Sequence, residues 1–452
     1  MLFKGSGDLI PLYALYALLF ADHGLSVAQI SSLLAIWSLA AFVLEVPSGA
    51  WADTVSRRVL LILSAVLMAI GFTVWTVAPS YLAFAIGFAL WGTAGALESG
   101  TFEALVYDDL VARGERTAYP RIMGYTRAAQ EITVVVAIMA AAPLYAWGGY
   151  ALVGWSSVVV AVLHALVALS LPRAPMAVSA GAVDELEEQA AEDDSPGRSP
   201  AAAQLDSARL SGALKVDSAR PTRKPEVSDP TSSSAGEVSG RGESTFARYL
   251  LMLRTGIGEA IRVRRVRYGV LLGSLLYGIT AYDEYFALLA QSAGAATAVV
   301  AVLVGVTVLG SMAGALLAGR TEGMSARTMA VALVAGSALF IAGSLVTGLA
   351  VSHPQSVYLL TGFGFAAIGV GYGIVYNSSV VAEARLQDSI EGPARATVTS
   401  VSGLLSEVVA LAIFGFVALA TIWLSMATTL ALLGVLMLAI ALVTPAWLPP
   451  KA

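Results

Sequence analysis

Ten ionisable side chains lie inside long apolar stretches of this chain: Asp8, Glu45, Glu98, Glu103, Arg127, Glu131, Asp283, Glu284, Glu383 and Glu407. A charge at mid-depth in a bilayer costs at least about 2.5–3.5 kcal/mol on insertion scales, so each must face a cavity or a partner. Arg127 and Glu131 are four residues apart and share one helix face, where they are expected to pair. Such a pair either couples to a transported ion or locks one helix to its neighbour. Glu407 has no base near it in sequence. Burial penalises the charged form of a lone carboxylate, so Glu407 is either a proton carrier or a hydrogen-bonded packing group. Asp283 and Glu284 stand between Tyr282 and Tyr285. Adjacent helix residues point about 100° apart, so one of the two acids faces inward. Acid and aromatic together suit a cationic, amphipathic ligand; the rings would otherwise be ordinary packing residues. The proton-coupling candidates are therefore Glu407, Glu131, Arg127, Asp283 and Glu98. The substrate-cavity candidates are Asp283, Glu284, Tyr282, Tyr285, Asn377 and Tyr376.

Other chemistries lack their residues. There are no cysteines, and the three histidines, His23, His164 and His353, form no metal-like spacing. No nucleophile–base set and no glycine-rich phosphate loop occurs, so no enzyme, cofactor or metal site is expected. No basic arm points to nucleic acid.

The elements that hold these residues follow from composition. Of 452 residues, 57% are hydrophobic and only 13% charged, with a mean hydropathy of +0.77. A soluble domain carries about 25% charged residues. Twelve apolar runs are long enough to cross a bilayer as helices. They cover about 5–22, 27–50, 59–78, 81–106, 121–144, 149–171, 267–290, 294–319, 327–350, 356–383, 394–419 and 422–447. No cleavable leader is evident ahead of the first. The loops at 51–58, 107–121, 172–267, 320–327 and 384–395 hold nearly all the arginines and lysines, and the opposite loops hold none. That asymmetry places both termini and the long middle loop in the cytoplasm, with the chain in the plasma (inner) membrane. Residues 173–245 are rich in Ala, Ser, Pro, Glu and Asp and read as a disordered linker. Residues 246–265 alternate apolar groups with arginines, as an interfacial helix does.

Between the second and third runs stands Gly49-Ala50-Trp51-Ala52-Asp53-Thr54-Val55-Ser56-Arg57-Arg58. Gly49, Asp53, Arg57 and Arg58 match the loop signature of the major facilitator superfamily, roughly G-x-x-x-D-x-x-G-R-R, with Ser56 in place of the second glycine. Glu45, followed by Val46-Pro47-Ser48, is similar to the acid–proline turn that precedes that loop. The resemblance implies a gating role for Glu45, Gly49, Asp53, Arg57 and Arg58. An internal repeat accompanies it. Glu103-Ala104-Leu105-Val106-Tyr107-Asp108 is echoed by Glu383-Ala384-Arg385-Leu386-Gln387-Asp388, and Ser99 by Ser379.

The fold expected is all-α: twelve transmembrane helices in two six-helix, pseudo-symmetric bundles. They would cover residues 1–172 and 266–452. The resemblance implies a secondary transporter, a monomer in the lipid bilayer whose partners are a small-molecule substrate and protons. Acids outnumber bases in the spans, which favours proton-coupled efflux of small amphipathic compounds. The drug-antiporter pattern of helix 5 is incomplete here, since Ala137–Gly149 keeps Pro143 but not the glycines before it. A proton-coupled nutrient importer is the alternative, and a transporter-like sensor or scaffold is the alternative from another class.

Overall fold

The computed structural model describes residues 1–52, 54–173, 263–390 and 395–451. Asp53, nearly all of the expected linker and most of the expected interfacial helix lie outside them. The described chain is all-helical, and nine of its helices are long and apolar enough to span a membrane. Two of the remaining crossings are built from short pieces, and two neighbouring crossings run into one helix.

Span 1 consists of α1 (Leu2–Gly7), a 3₁₀ turn (Pro11–Ala14) and α2 (Tyr16–Asp22). The break has a local cause. Proline drives the residue before it out of the helical region, and Ile10 is extended at φ −102°, ψ 104°. A backbone N–H freed inside a membrane needs a partner. Leu12 finds one by donating to Ser157 Oγ at 3.0 Å. Spans 2 and 3 are α3 (Val27–Ala52) and α4 (Arg57–Val77). Span 4 is interrupted. α5 (Tyr81–Glu98) stops at Ser99, Gly100 takes a left-handed φ of +66°, and α6 (Thr101–Arg113) resumes. Spans 5 and 6 form α7 (Tyr119–Ala168), broken at Gly148 and at Gly149, whose φ is +58°. The two arms fold back on each other, because Gly5 lies against Ala129 and Thr133 while its neighbour Gly7 lies against His164.

The second half repeats the scheme. Span 7 is α8 (Arg264–Gly278), a 3₁₀ stretch (Ile279–Tyr285) and α9 (Phe286–Ser292). Spans 8 to 12 are α10 (Thr297–Thr321), α11 (Ala326–Leu349), α12 (Val357–Asp388), α13 (Arg395–Ala420) and α14 (Met426–Trp447). Lipid tails give no hydrophobic drive for helix association, so close backbone packing must supply it. Spans 8 and 10 meet at Gly310, Gly314, Gly369 and Gly373, where an added Cβ would collide with the facing carbonyl.

The halves join along two seams, span 2 against span 11 and span 5 against span 8. At the second seam the Met139 side chain fills the space beside Gly305.

Candidate functional site

A cavity of about 620 Å³ opens between the halves. Span 1 contributes Asp8, and span 5 gives Arg127, Gln130, Glu131 and Val134. Span 7 adds Gly273 and Tyr277. Span 10 adds Tyr376, Ser379, Val380 and Glu383, and span 11 adds Thr399, Ser402, Gly403 and Ser406. The lining is mostly hydroxyl, carboxamide and carboxylate. A side chamber of about 260 Å³ shares Asp8 and Gln130 with it and runs into the first half.

The cavity lies towards the arginine-rich loops. At the other face the halves are tied together. Gln291 Nε2 of the second half donates to Asp22 Oδ1 at 2.7 Å, and Tyr150 Oη, of the same half as Asp22, holds it by donating to Oδ2 at 2.6 Å. Deeper in, Ser31 Oγ and Tyr285 Oη share a 2.7 Å hydrogen bond. Tyr16 donates to Glu284, and Ser38 donates to Glu407. Both carboxylates belong to the second half and both hydroxyls to the first. These hydrogen bonds cross from one half to the other.

The acids flagged in sequence fall into different surroundings. Asp283 is held within its own half by Tyr372 Oη at 2.7 Å. Asp283, Glu284, Tyr282 and Tyr285 line neither cavity. Tyr282 is fully buried among Phe286, Phe340 and Tyr372. The 3₁₀ geometry of this stretch turns the tyrosines into the core and so removes them from the void. Tyr376 does line the central cavity. Asn377 points the other way, donating to the Gly314 carbonyl at 2.9 Å and bonding Thr321. Arg127 and Glu131 share the cavity wall as their spacing predicts. Among the described ion pairs they do not pair with each other, because the open cavity solvates both.

Glu98 lines the side chamber and meets Lys4, whose Nζ lies 2.9 Å from Glu98 and 3.5 Å from Glu103. Glu383, which echoes Glu103, accepts instead from Gln387 at 2.9 Å. Sequence reading missed Lys4, because a basic residue so near a terminus passes for an interfacial anchor. It also missed Gln130 as the partner of Asp8, at 3.0 Å. The serines and threonine of span 11 are spaced to share a face, a signal that was available.

On the arginine-rich side, Arg57 is buried and pairs with Asp108 at 2.5 Å, while its Nε caps the carbonyl of Ala52. Arg58 donates to the carbonyl of Leu169. Glu45 accepts from Ser99 Oγ at 2.8 Å, beside the break in span 4. Gly49 stands in open space, so no close helix approach depends on it here. The second half substitutes a different latch: Arg385 of span 10 is buried and donates to the carbonyls of Glu322 and Met324 in the loop between spans 8 and 9.

Residues 5–410 match the sequence profile of the Major Facilitator Superfamily. The chain belongs to that family. It is therefore a multi-pass membrane transporter of small molecules, not an enzyme. No curated protein matches its sequence. Among solved structures it is similar to the nucleoside transporter NupG, at 12% identity and a TM-score of 0.60, covering 99% of this chain and 96% of that one. An aspartate-to-alanine mutant of NupG gives a TM-score of 0.63 at 11% identity, covering 98% and 97%. A D-xylose–proton symporter gives 0.58 at 14% identity, covering 99% and 95%. At such identities the likeness is one of fold.

Proposed function

We propose that this major facilitator protein moves a small, polar, hydrogen-bonding solute by alternating access, coupled to protons through Glu284 and Glu407. The observation that carries this is the pair of carboxylate–hydroxyl joints at the shut face, set beside a polar central cavity. Opening that face takes the Tyr16 and Ser38 hydroxyls away. Each carboxylate then exchanges its hydroxyl donor for the water that enters the opened face. A difference in proton affinity between the two states lets proton binding bias the exchange, by no more than that difference. Asp283 and Glu98 hold partners within their own halves, so their contacts do not depend on that face.

The solute class rests on the lining. A wall of Gln130, Ser379, Thr399, Ser402 and Ser406 suits hydroxyl- or amine-bearing solutes. Tyr277 and Tyr376 add two aromatic rings to this wall, whereas Tyr282 and Tyr285 are packed in the core. The similar structures, a nucleoside transporter and a D-xylose–proton symporter, agree with a polar solute. We take the arginine-rich face as cytoplasmic, the membrane as the plasma membrane, and residues 1–172 and 266–452 as the two rocking units.

Vesicles with the purified protein and an imposed pH gradient test this. A panel of sugars, nucleosides, amines and lipophilic drugs is added while lumenal pH is followed. The expected result is proton movement with a polar solute, abolished by Glu284→Gln or Glu407→Gln while solute exchange without a gradient persists. The sign of the proton flux assigns symport or antiport. Proton movement with lipophilic drugs alone would restore the amphipathic-exporter reading, and transport with no proton movement in wild type would remove the coupling.

A further inference from the structure

We propose that the side chamber is a subsite for an organic monocation, with Asp8 as its counter-charge and the Tyr13–Trp91 pair as its aromatic wall. The proposal rests on the transport reading above for its purpose, though not for its geometry. The chamber is walled by spans 1, 3 and 4 with Gln130 of span 5 where it joins the central cavity, and its volume of about 260 Å³ holds a small amine but not a large drug. Tyr13 and Trp91 stack inside it with ring centroids 5.0 Å apart and planes 9° from parallel. Trp91 is braced by Trp37, Phe72 and Phe88, so its position is fixed without a ligand. A cation over the exposed face of this stacked group is attracted by the ring quadrupole.

Charge decides the ligand's sign and its valence. Asp8 and Glu98 outnumber Lys4 two to one in the chamber lining, and Glu103 meets Lys4 from outside it. Lys4 sits between Glu98 and Glu103, with its side chain 13% exposed, and is the resident cation for both. Its stem also lies over the Phe102 ring, with Nζ 5.2 Å from the centroid. Asp8 is left. Among the described residues it has no ion-pair partner, only the neutral Gln130 amide. It lies at the junction of the chamber with the central cavity, where a solute entering from the cavity meets it first. One free carboxylate beside a fixed aromatic wall selects one positive charge. Lys4 therefore acts as a specificity-determining residue: it occupies the site a second ammonium would take.

Calorimetric titration of the purified full chain in detergent tests this with three probes: benzylamine, its neutral analogue benzyl alcohol, and the dication para-xylylenediamine. Wild type should bind benzylamine and prefer it to both others by about tenfold or more, as loss of one charge-assisted contact requires. Asp8→Asn should remove that preference for the amine over the alcohol, and Trp91→Leu should weaken the amine. Asp109→Asn, at an exposed pair with Arg113, is the charge-matched control. Lys4→Met should shift the preference from benzylamine towards the dication, and Lys4→Arg should restore it. Equal binding of amine and alcohol in wild type, or amine binding indifferent to Asp8→Asn, overturns the subsite. If vesicles move a polar solute but benzylamine neither binds nor competes, the subsite fails and the transport reading stands. If benzylamine binds through Asp8 and no solute is moved, the subsite stands and the transport reading fails.

Discussion

A buried charge is informative only together with its partner, and Arg57 shows how much rides on one. Its guanidinium is 2% exposed and meets Asp108, which is 1% exposed, between span 3 and the inner end of span 4. Removing one member of such a buried pair takes away the other's close counter-charge, at a cost of about 3–5 kcal/mol. Arg57→Ala and Asp108→Ala should each lower the thermal unfolding midpoint in detergent by more than the double change Arg57→Met with Asp108→Leu, which removes both charges and keeps the volume. A double variant less stable than either single one would show that the pair contributes net stability. Arg58 donates to a carbonyl at the end of span 6, and Arg58→Ala should cost less. The signature loop thus contains two arginines with unlike tasks, which a motif match does not distinguish.

At the scale of elements, hydropathy located the crossings because about 20 apolar residues are needed for each. The same averaging hid the breaks. Span 1 is interrupted at Ile10-Pro11, span 4 at Ser99-Gly100, and span 7 by a 3₁₀ stretch. The first two carry local signals, a residue forced extended before proline and a glycine at positive φ, that a window of helix length dilutes. The partners of the flagged acids were illegible for another reason. Tyr16 and Glu284 are 268 positions apart, and Ser38 and Glu407 are 369 apart. No spacing rule reaches across two bundles. Glycine roles show the same limit within one helix. In span 10, a Cβ on Gly373 would lie 2.4 Å from the Gly310 carbonyl oxygen, whereas one on Gly362 meets nothing within 4 Å. Backbone cannot yield as a side-chain tip can. Gly373→Ala should therefore destabilise by about 1–3 kcal/mol through overpacking. Gly362→Ala should be neutral or stabilising by about 0.5–1 kcal/mol, because alanine loses less freedom in a helix. The two midpoints, measured side by side, check that spans 8 and 10 pack backbone against backbone at Gly373.

For the whole molecule, one face is shut by polar contacts and the other holds a cavity, and a transporter working by alternating access must exchange them. The chain's lack of cysteine makes this testable without a background to remove. Asp22 and Gln291 hydrogen-bond across the shut face, one from each half. Replacing both with cysteine and joining them with a short, cleavable dithiol-reactive linker should hold that face closed. Gly403 lines the cavity and has nothing within 4 Å of an added Cβ, so a cysteine there reports access without disturbing the wall. Locked protein should lose transport, keep its solute binding, and let a membrane-impermeant maleimide reach position 403 from the arginine-rich face alone. Cleaving the linker should restore transport and, with solute and a pH gradient present, slow the labelling from that face as the cavity turns to the other side. The joints at Glu284 and Glu407 lie between the lock and the cavity, so the lock should also stop proton movement. Transport that continues with the linker in place would mean that this face need not open. The carboxylate joints would then be structural, and the proton path would have to run through the acids of the cavity wall, Asp8, Glu131 and Glu383.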